Sequence, residues 1–165
     1  VRPGGSDLTE SKDAAAVRIP PPLYPLLACV AGLLLDRVLP LALGFSSPPA
    51  SHWVGGGIVV GALVFLGAWA VVIFHQEGQR PEPWEPSPTL VARGPFRFTR
   101  NPMYVAMLLI CLGVAVLTDS LWIVLLTPVA AWALLRFAIL PEEAYLERKF
   151  GESYLSYKRR VRRWI

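Results

Sequence analysis

Cysteine and histidine are scarce in this chain, two of each among 165 residues. Cys29 and Cys111 both lie inside apolar runs, so neither a disulfide framework nor a zinc site has support. Packing as small apolar side chains is their expected role. His52 and His75 have no second ligand at metal spacing, and no Ser/His/Asp set or glycine-rich phosphate loop occurs. A metal centre is therefore not expected. Charge is thin as well: 17% of residues are Asp, Glu, Lys or Arg, against about a quarter in ordinary soluble domains. Two connections between apolar runs, 46–52 and Asp119-Ser120, contain no Lys or Arg at all.

Apolar residues make up 54% of the chain, and the mean hydropathy is +0.46. Crossing a hydrocarbon core takes roughly 20 mostly apolar residues. Runs 53–74 and 121–140 meet that requirement, and 23–45 meets it despite Asp36, Arg37 and Pro40. Run 103–118 is short, and reads as a span because Asp119-Ser120 turns the chain straight into the next one. Of the 16 Lys and Arg, 14 fall in the N-terminal tail, the loop 75–104 and the C-terminal tail. A four-span count puts all three segments on one side, which the positive-inside rule makes cytoplasmic. Three or five spans would divide them.

The expected fold class is all-α integral membrane, with about four transmembrane helices and cytoplasmic N- and C-termini. The last two spans form a helical hairpin followed by short amphipathic C-terminal helices. Residues 1–19 read as a disordered tail, 20–74 as two N-terminal spans and 75–165 as the core. A cleavable signal peptide is not expected, because a charged 20-residue tail precedes the first apolar run. The net charge of +4 belongs to juxtamembrane segments that attract anionic headgroups. Membrane lipids are the expected partners and nucleic acid is not; the oligomeric state stays open.

Within the spans, Asp36 and Arg37 are costly in lipid and should face protein, each other or the far interface. Gly57 and Gly61 stand four apart, a spacing that permits close helix approach. The stretch 75–93 carries Pro81, Pro83, Pro86 and Pro88, which forbid regular helix. Trp69 and Trp84 flank it as interfacial anchors. Beyond Pro141 the apolar positions recur at helical spacing until Gly151, with a second short helix from Tyr154.

Chemistry concentrates at one level. Arg93, Arg97, Arg100, Asn101 and Tyr104 precede the third span, and Arg136, Glu142 and Glu143 end the fourth. An antiparallel hairpin brings both groups to one depth. Arg forks bind carboxylates and phosphates, while Glu accepts from hydroxyl and ammonium groups. Together they suit a zwitterionic ligand at the inner interface. Snorkelling side chains and weak surface ion pairs account for the same residues equally well.

The string Leu90-Val91-x-x-Gly94-Pro95-Phe96-Arg97-x-x-Arg100-Asn101-Pro102-x-Tyr104 is followed one hairpin later by a second. That one reads Glu142-Glu143-x-x-Leu146-x-x-x-Phe150-Gly151-x-x-Tyr154-x-x-Tyr157-x-x-x-Val161-x-Arg163. Over residues 75–165 this resembles the isoprenylcysteine carboxyl methyltransferase family, and more broadly the membrane methyltransferases that include phospholipid methyltransferases. The resemblance implies S-adenosyl-L-methionine bound on the cytoplasmic side beneath the C-terminal helices, with a lateral tunnel for a lipophilic small-molecule or lipid acceptor. By position, Thr89, Leu90 and Val91 resemble the segment lining the cofactor site, and Phe96 an aromatic against the cofactor. Asn101, Pro102, Met103 and Tyr104 match the Arg-His-Pro-x-Tyr signature, and Glu142, beside Glu143, the acidic residue on the amino or ribose groups.

Gln76 or Gln79 is a further candidate amide. Arg100 and Arg136 are expected to anchor anionic groups of cofactor or acceptor, which with Glu142 makes them the catalytic candidates. Asn101 stands where eukaryotic members have histidine. Ala138 stands where the family's acceptor-side arginine falls, so the acceptor is not singled out. A relative of the nicotinamide-dependent sterol reductases is an alternative, though Phe150-Gly151-Glu152-Ser153-Tyr154 lacks the Cys and Trp expected there. A non-catalytic membrane scaffold is another.

Overall fold

The computed structural model describes residues 15, 17, 19–45, 48–78, 80, 82, 84–85 and 87–165. Most of the 1–19 tail, with Gln79, Pro81, Pro83 and Pro86, lies outside the described residues. All regular elements among them are helical: α1 (Leu23–Val38), α2 (Pro48–Gly61), α3 (Trp69–Gln76), α4 (Pro102–Leu117), α5 (Leu121–Leu134), α6 (Leu140–Phe150) and α7 (Glu152–Arg160). A π-helical turn, Ala62–Ala68, fuses α2 to α3, and a second, Leu135–Ile139, fuses α5 to α6. A 3-10 turn, Gly94–Arg97, precedes α4.

The two fused helices, Pro49–Gln76 and Leu121–Phe150, are 28 and 30 residues long and apolar enough to cross a membrane. The apolar α4 is shorter, at 16 residues, or about 24 Å at the helical rise of 1.5 Å per residue. Large apolar side chains, among them Leu34, Trp53, Phe65, Val129 and Trp132, point outward. In water such a surface would aggregate, whereas against lipid it is simply the outer face.

Helix α1 stops at Val38 instead of running to 45. Pro40 has no N–H and disfavours helix at Leu39, which adopts φ −139°, ψ 87°. Asp36 accepts the Leu41 N–H at 3.3 Å, so its polar group serves the chain exit. Pro141, by contrast, sits inside continuous helix. The π turn directly before it widens the backbone where the proline ring would otherwise meet a carbonyl.

Lipid tails are as apolar as leucine, so helices in lipid associate by close contact between small residues. Helix α2 packs on α4 and α1 on α5. A Cβ at Gly55 would lie 2.7 Å from the Gly113 carbonyl oxygen, and one at Gly113 would lie 2.6 Å from Val59. Gly57 and Gly61, expected to make the close approach, have open space beside them. The close approach falls on another face of the helix, at Gly55.

At one end of the α4–α5 hairpin, Asp119 (φ +53°) makes the turn, and Ala42 pairs with Ser120 in an isolated antiparallel bridge. At the other end lie the 3-10 turn, α6 and α7. There Gly151 (φ +52°) takes the left-handed conformation that ends α6 and starts α7.

Candidate functional site

The site is assembled where the chain enters α4. Pro102 occupies the first helical turn, where no N–H is needed. The preceding backbone is tied to the C-terminal tail. The Arg100 N–H donates to the Arg162 carbonyl at 2.9 Å. The Thr99 hydroxyl and the Asn101 amide both donate to the Arg163 carbonyl, at 3.1 and 2.9 Å. Asn101 is thus a fastening for the tail; donating an N–H here requires no base.

The tail in turn delivers Arg163, which forks onto Glu143 through Nε and NH2, both at 2.9 Å. Arg100 approaches the same carboxylate at 3.2 Å and Lys158 at 3.8 Å. Burial alone would raise the Glu143 carboxyl. The Arg163 hydrogen bonds and the charges of Arg100, Arg163 and Lys158 outweigh that and hold it below the usual carboxylate range.

Glu142, one residue earlier, has a different environment. It lies past Leu140, where the apolar stretch has ended, and accepts a hydrogen bond from the Tyr104 hydroxyl at 3.0 Å. No cation pairs with it among the described residues, and its accessible surface faces a cavity. Burial pushes its pKa to about 7, with Tyr104 opposing and the Glu143 charge adding to the rise. Arg100 is the counterpart: its side chain is 9% exposed, and its Nε and NH1 make no hydrogen bond. The approach of NH1 to Glu143 is ionic only.

Both groups line one narrow cavity. Its volume is about 50 Å³, and it opens partly to solvent. Thr89, Leu90, Val91 and Phe96 form its apolar wall, and Asn101, Glu142 and Glu143 its polar side. Pro102, Met103 and Tyr104 line an inner recess that shares Arg100, Asn101 and Glu142. Arg136 is not brought to this cavity; it is exposed on the second π turn. Gln76 accepts from Arg93 at 3.3 Å, and Gln79 lies outside the described residues.

Several lining residues were not singled out as site residues from sequence. Phe74, at the end of α3, stacks on Phe96 with ring centres 4.9 Å apart. Tyr154 and Tyr157 close the cavity from α7, the latter donating to the Phe96 carbonyl at 2.7 Å. The recurring Tyr-x-x-Tyr and the terminal arginine carried the available signal. Phe74 gave none, because one more aromatic in an apolar run is unremarkable.

Fold and site define a class: an apolar, all-helical chain that holds a charge-lined cavity at one end of a helical hairpin. Residues 51–153 match the phospholipid methyltransferase family, and the chain belongs to it. It is 35% identical over 72 residues to a protein-S-isoprenylcysteine O-methyltransferase of Schizosaccharomyces pombe, covering 44% of this chain and 30% of that one. It is 38% identical over 71 residues to an uncharacterized protein of Haemophilus influenzae, covering 38% of this chain and 100% of that one. The chain therefore spans under a third of the yeast enzyme's length. No solved structure matches it.

Proposed function

We propose that the chain is an S-adenosylmethionine-dependent methyltransferase that modifies a lipophilic acceptor at the cytoplasmic face of a four-span membrane domain. One observation carries the reading: Arg100, a cation whose buried Nε and Nη1 make no hydrogen bond, and Glu142, a half-buried carboxylate without a cation among the described residues, line the same cavity. Buried N–H groups without acceptors, and a carboxylate without a cation, are costly unless a ligand completes them. A ligand with a free α-amino acid end completes both, its carboxylate on Arg100 and its ammonium on Glu142. Leu90, Val91, Phe74 and Phe96 offer a flat apolar wall to a nucleoside. The donor set therefore fits S-adenosylmethionine, although the narrow cavity requires its lining side chains to part.

The bound sulfonium supplies an electrophilic methyl group for in-line displacement. The protein's contribution is positioning and exclusion of water. Arg100 and Glu142 orient the charged end, and the aromatic wall keeps the reacting region dry. An apolar groove of about 270 Å³ reaches Tyr104 between Val71, Trp84, Met103 and Met107. Met103 and Tyr104 line both this groove and the inner recess, which makes it the route for the acceptor's hydrocarbon part.

The test is thermal unfolding of the detergent-purified protein. S-adenosylhomocysteine is expected to raise the midpoint and NADPH to leave it unchanged, since a ligand binding only the native state stabilises by about 2.7 kcal/mol at a hundred times its Kd. A shift with NADPH alone, or with neither, sinks the proposal. Label transfer from radioactive S-adenosylmethionine into lipid extracts then reports the acceptor.

A further inference from the structure

Cys29 on α1 and Cys111 on α4 are 82 positions apart in sequence, yet the α1–α4 packing brings their sulfurs to 3.1 Å. Both are free thiols. The Cys111 thiol is also directed by the Pro25 carbonyl, to which it donates at 3.2 Å. A disulfide bond is about 2.05 Å long, so closure requires an approach of roughly 1 Å. Cys111 is buried, whereas Cys29 is half-buried. Both sulfurs line an apolar groove of about 380 Å³ between the two helices, with Leu26, Met107, Ile110 and Val114. That groove shares Pro22 and Met107 with the one that reaches Tyr104.

We propose that Cys29 and Cys111 are a redox-active dithiol, which a hydroperoxide dissolved in the bilayer converts to an intramembrane disulfide joining α1 to α4. The accessible Cys29 sulfur attacks the terminal peroxide oxygen. The O–O bond breaks, the hydroperoxide leaves as an alcohol, and Cys29 becomes a sulfenic acid. The Cys111 sulfur then attacks the Cys29 sulfur, and the displaced hydroxyl leaves as water with the Cys111 proton. Two thiols are oxidised by two electrons, and one hydroperoxide is reduced to alcohol and water. The first step is the slow one, because the hydroperoxide must first reach the half-buried Cys29 sulfur. The second is fast, because the resolving sulfur is already in contact. The product pins α1 along the wall of the groove. This chemistry holds whether or not the methyltransferase reading does, because it involves no residue of the Arg100–Glu142 cavity.

The experiment uses the full chain reconstituted in phosphatidylcholine vesicles and treated with cumene hydroperoxide. The protein is then unfolded in detergent with N-ethylmaleimide and weighed intact. Untreated protein is expected to take two maleimides. Oxidised protein should take none, be lighter by two hydrogens, and recover both adducts after dithiothreitol. Retention of both maleimides after treatment overturns the proposal, as does oxidation to sulfinic acid with no loss of hydrogen. In Cys29→Ser the remaining thiol should keep its single maleimide under the same treatment. Loss of that adduct at the wild-type rate would mean that Cys29 is not the partner.

Discussion

At the Asp119 end of the α4–α5 hairpin, Asp119 accepts the N–H groups of Gly44 and Phe45 at 3.1 and 3.3 Å. Ser120 accepts that of Ile123 at 3.3 Å, and the Trp122 indole donates to the Leu39 carbonyl at 2.7 Å. At the Arg100 end, Glu143 is saturated by three cations, but Arg100 keeps buried N–H groups unused and Glu142 has a hydroxyl and no cation. One end closes the chain on itself and the other holds two opposite charges apart. Buried polar groups are normally satisfied, and an exception calls for an explanation. On the proposed function, a ligand completing both charges is that explanation. The saturated Glu143 cluster is the frame that keeps them from collapsing together.

Removing the frame should have the largest effect. Glu143→Ala leaves Arg100 buried without its counter-charge, and is expected to cost about 3 kcal/mol of stability as well as ligand response. Denaturant unfolding checks this, and a midpoint within error of wild type would show that the cluster frames nothing.

Glu142→Gln comes next, since it removes the carboxylate while keeping shape and the Tyr104 contact. The shift produced by S-adenosylhomocysteine should fall by about 2 kcal/mol. The unliganded variant should unfold no earlier than wild type at pH 8. An undiminished ligand shift removes Glu142 from the binding set.

The pH dependence is smaller and has a defined sign. In the unliganded protein Glu142 titrates near 7, above its ordinary value of 4.5. Between those values the native state holds a proton that the unfolded state has lost, so this group's contribution to stability falls as pH rises from 4.5 to 7. Binding of an ammonium has the opposite sign: it needs the carboxylate, and should weaken by up to about tenfold per pH unit below 7. Titration calorimetry from pH 5.5 to 8 measures it, and Glu142→Gln should flatten the profile. A wild-type profile already flat would place the ammonium elsewhere.

The smallest effect belongs to the closed end. Asp119→Ala unpairs two N–H groups beside the turn and should cost about 1 kcal/mol of stability with no change in ligand response. A loss of ligand response there would mean that the two ends are coupled and the contrast is wrong.

Much of the helical framework is readable from hydrophobic runs, because in lipid a backbone without internal hydrogen bonds is too costly. The boundaries were less readable. Pro40 ended α1 early and Pro141 ended nothing, because a π turn ahead of Pro141 relieved the clash that Pro40 could not avoid. Gly57 and Gly61 had the right spacing and the wrong face. In the site, Glu142, Glu143 and Arg100 were legible as a charge-bearing constellation. Their division of labour was not, since adjacent glutamates project about 100° apart on a helix and only the neighbours decide which one is paired. Arg136 was drawn in by sequence depth and left out by helix face.

The sequence alone determined the apolar helices, the basic segments around them and the two motifs joined by a hairpin, because these follow from local periodicity and composition. Tertiary structure decided which charges are satisfied. The fastening of the C-terminal tail to Thr99 and Asn101 puts Arg163 on Glu143, and this contact across more than sixty positions leaves Arg100 and Glu142 with valences to fill. The same kind of long-range contact sets Cys29 against Cys111. Partnership in a low-dielectric interior depends on distances of an ångström or two, and no sequence period encodes them.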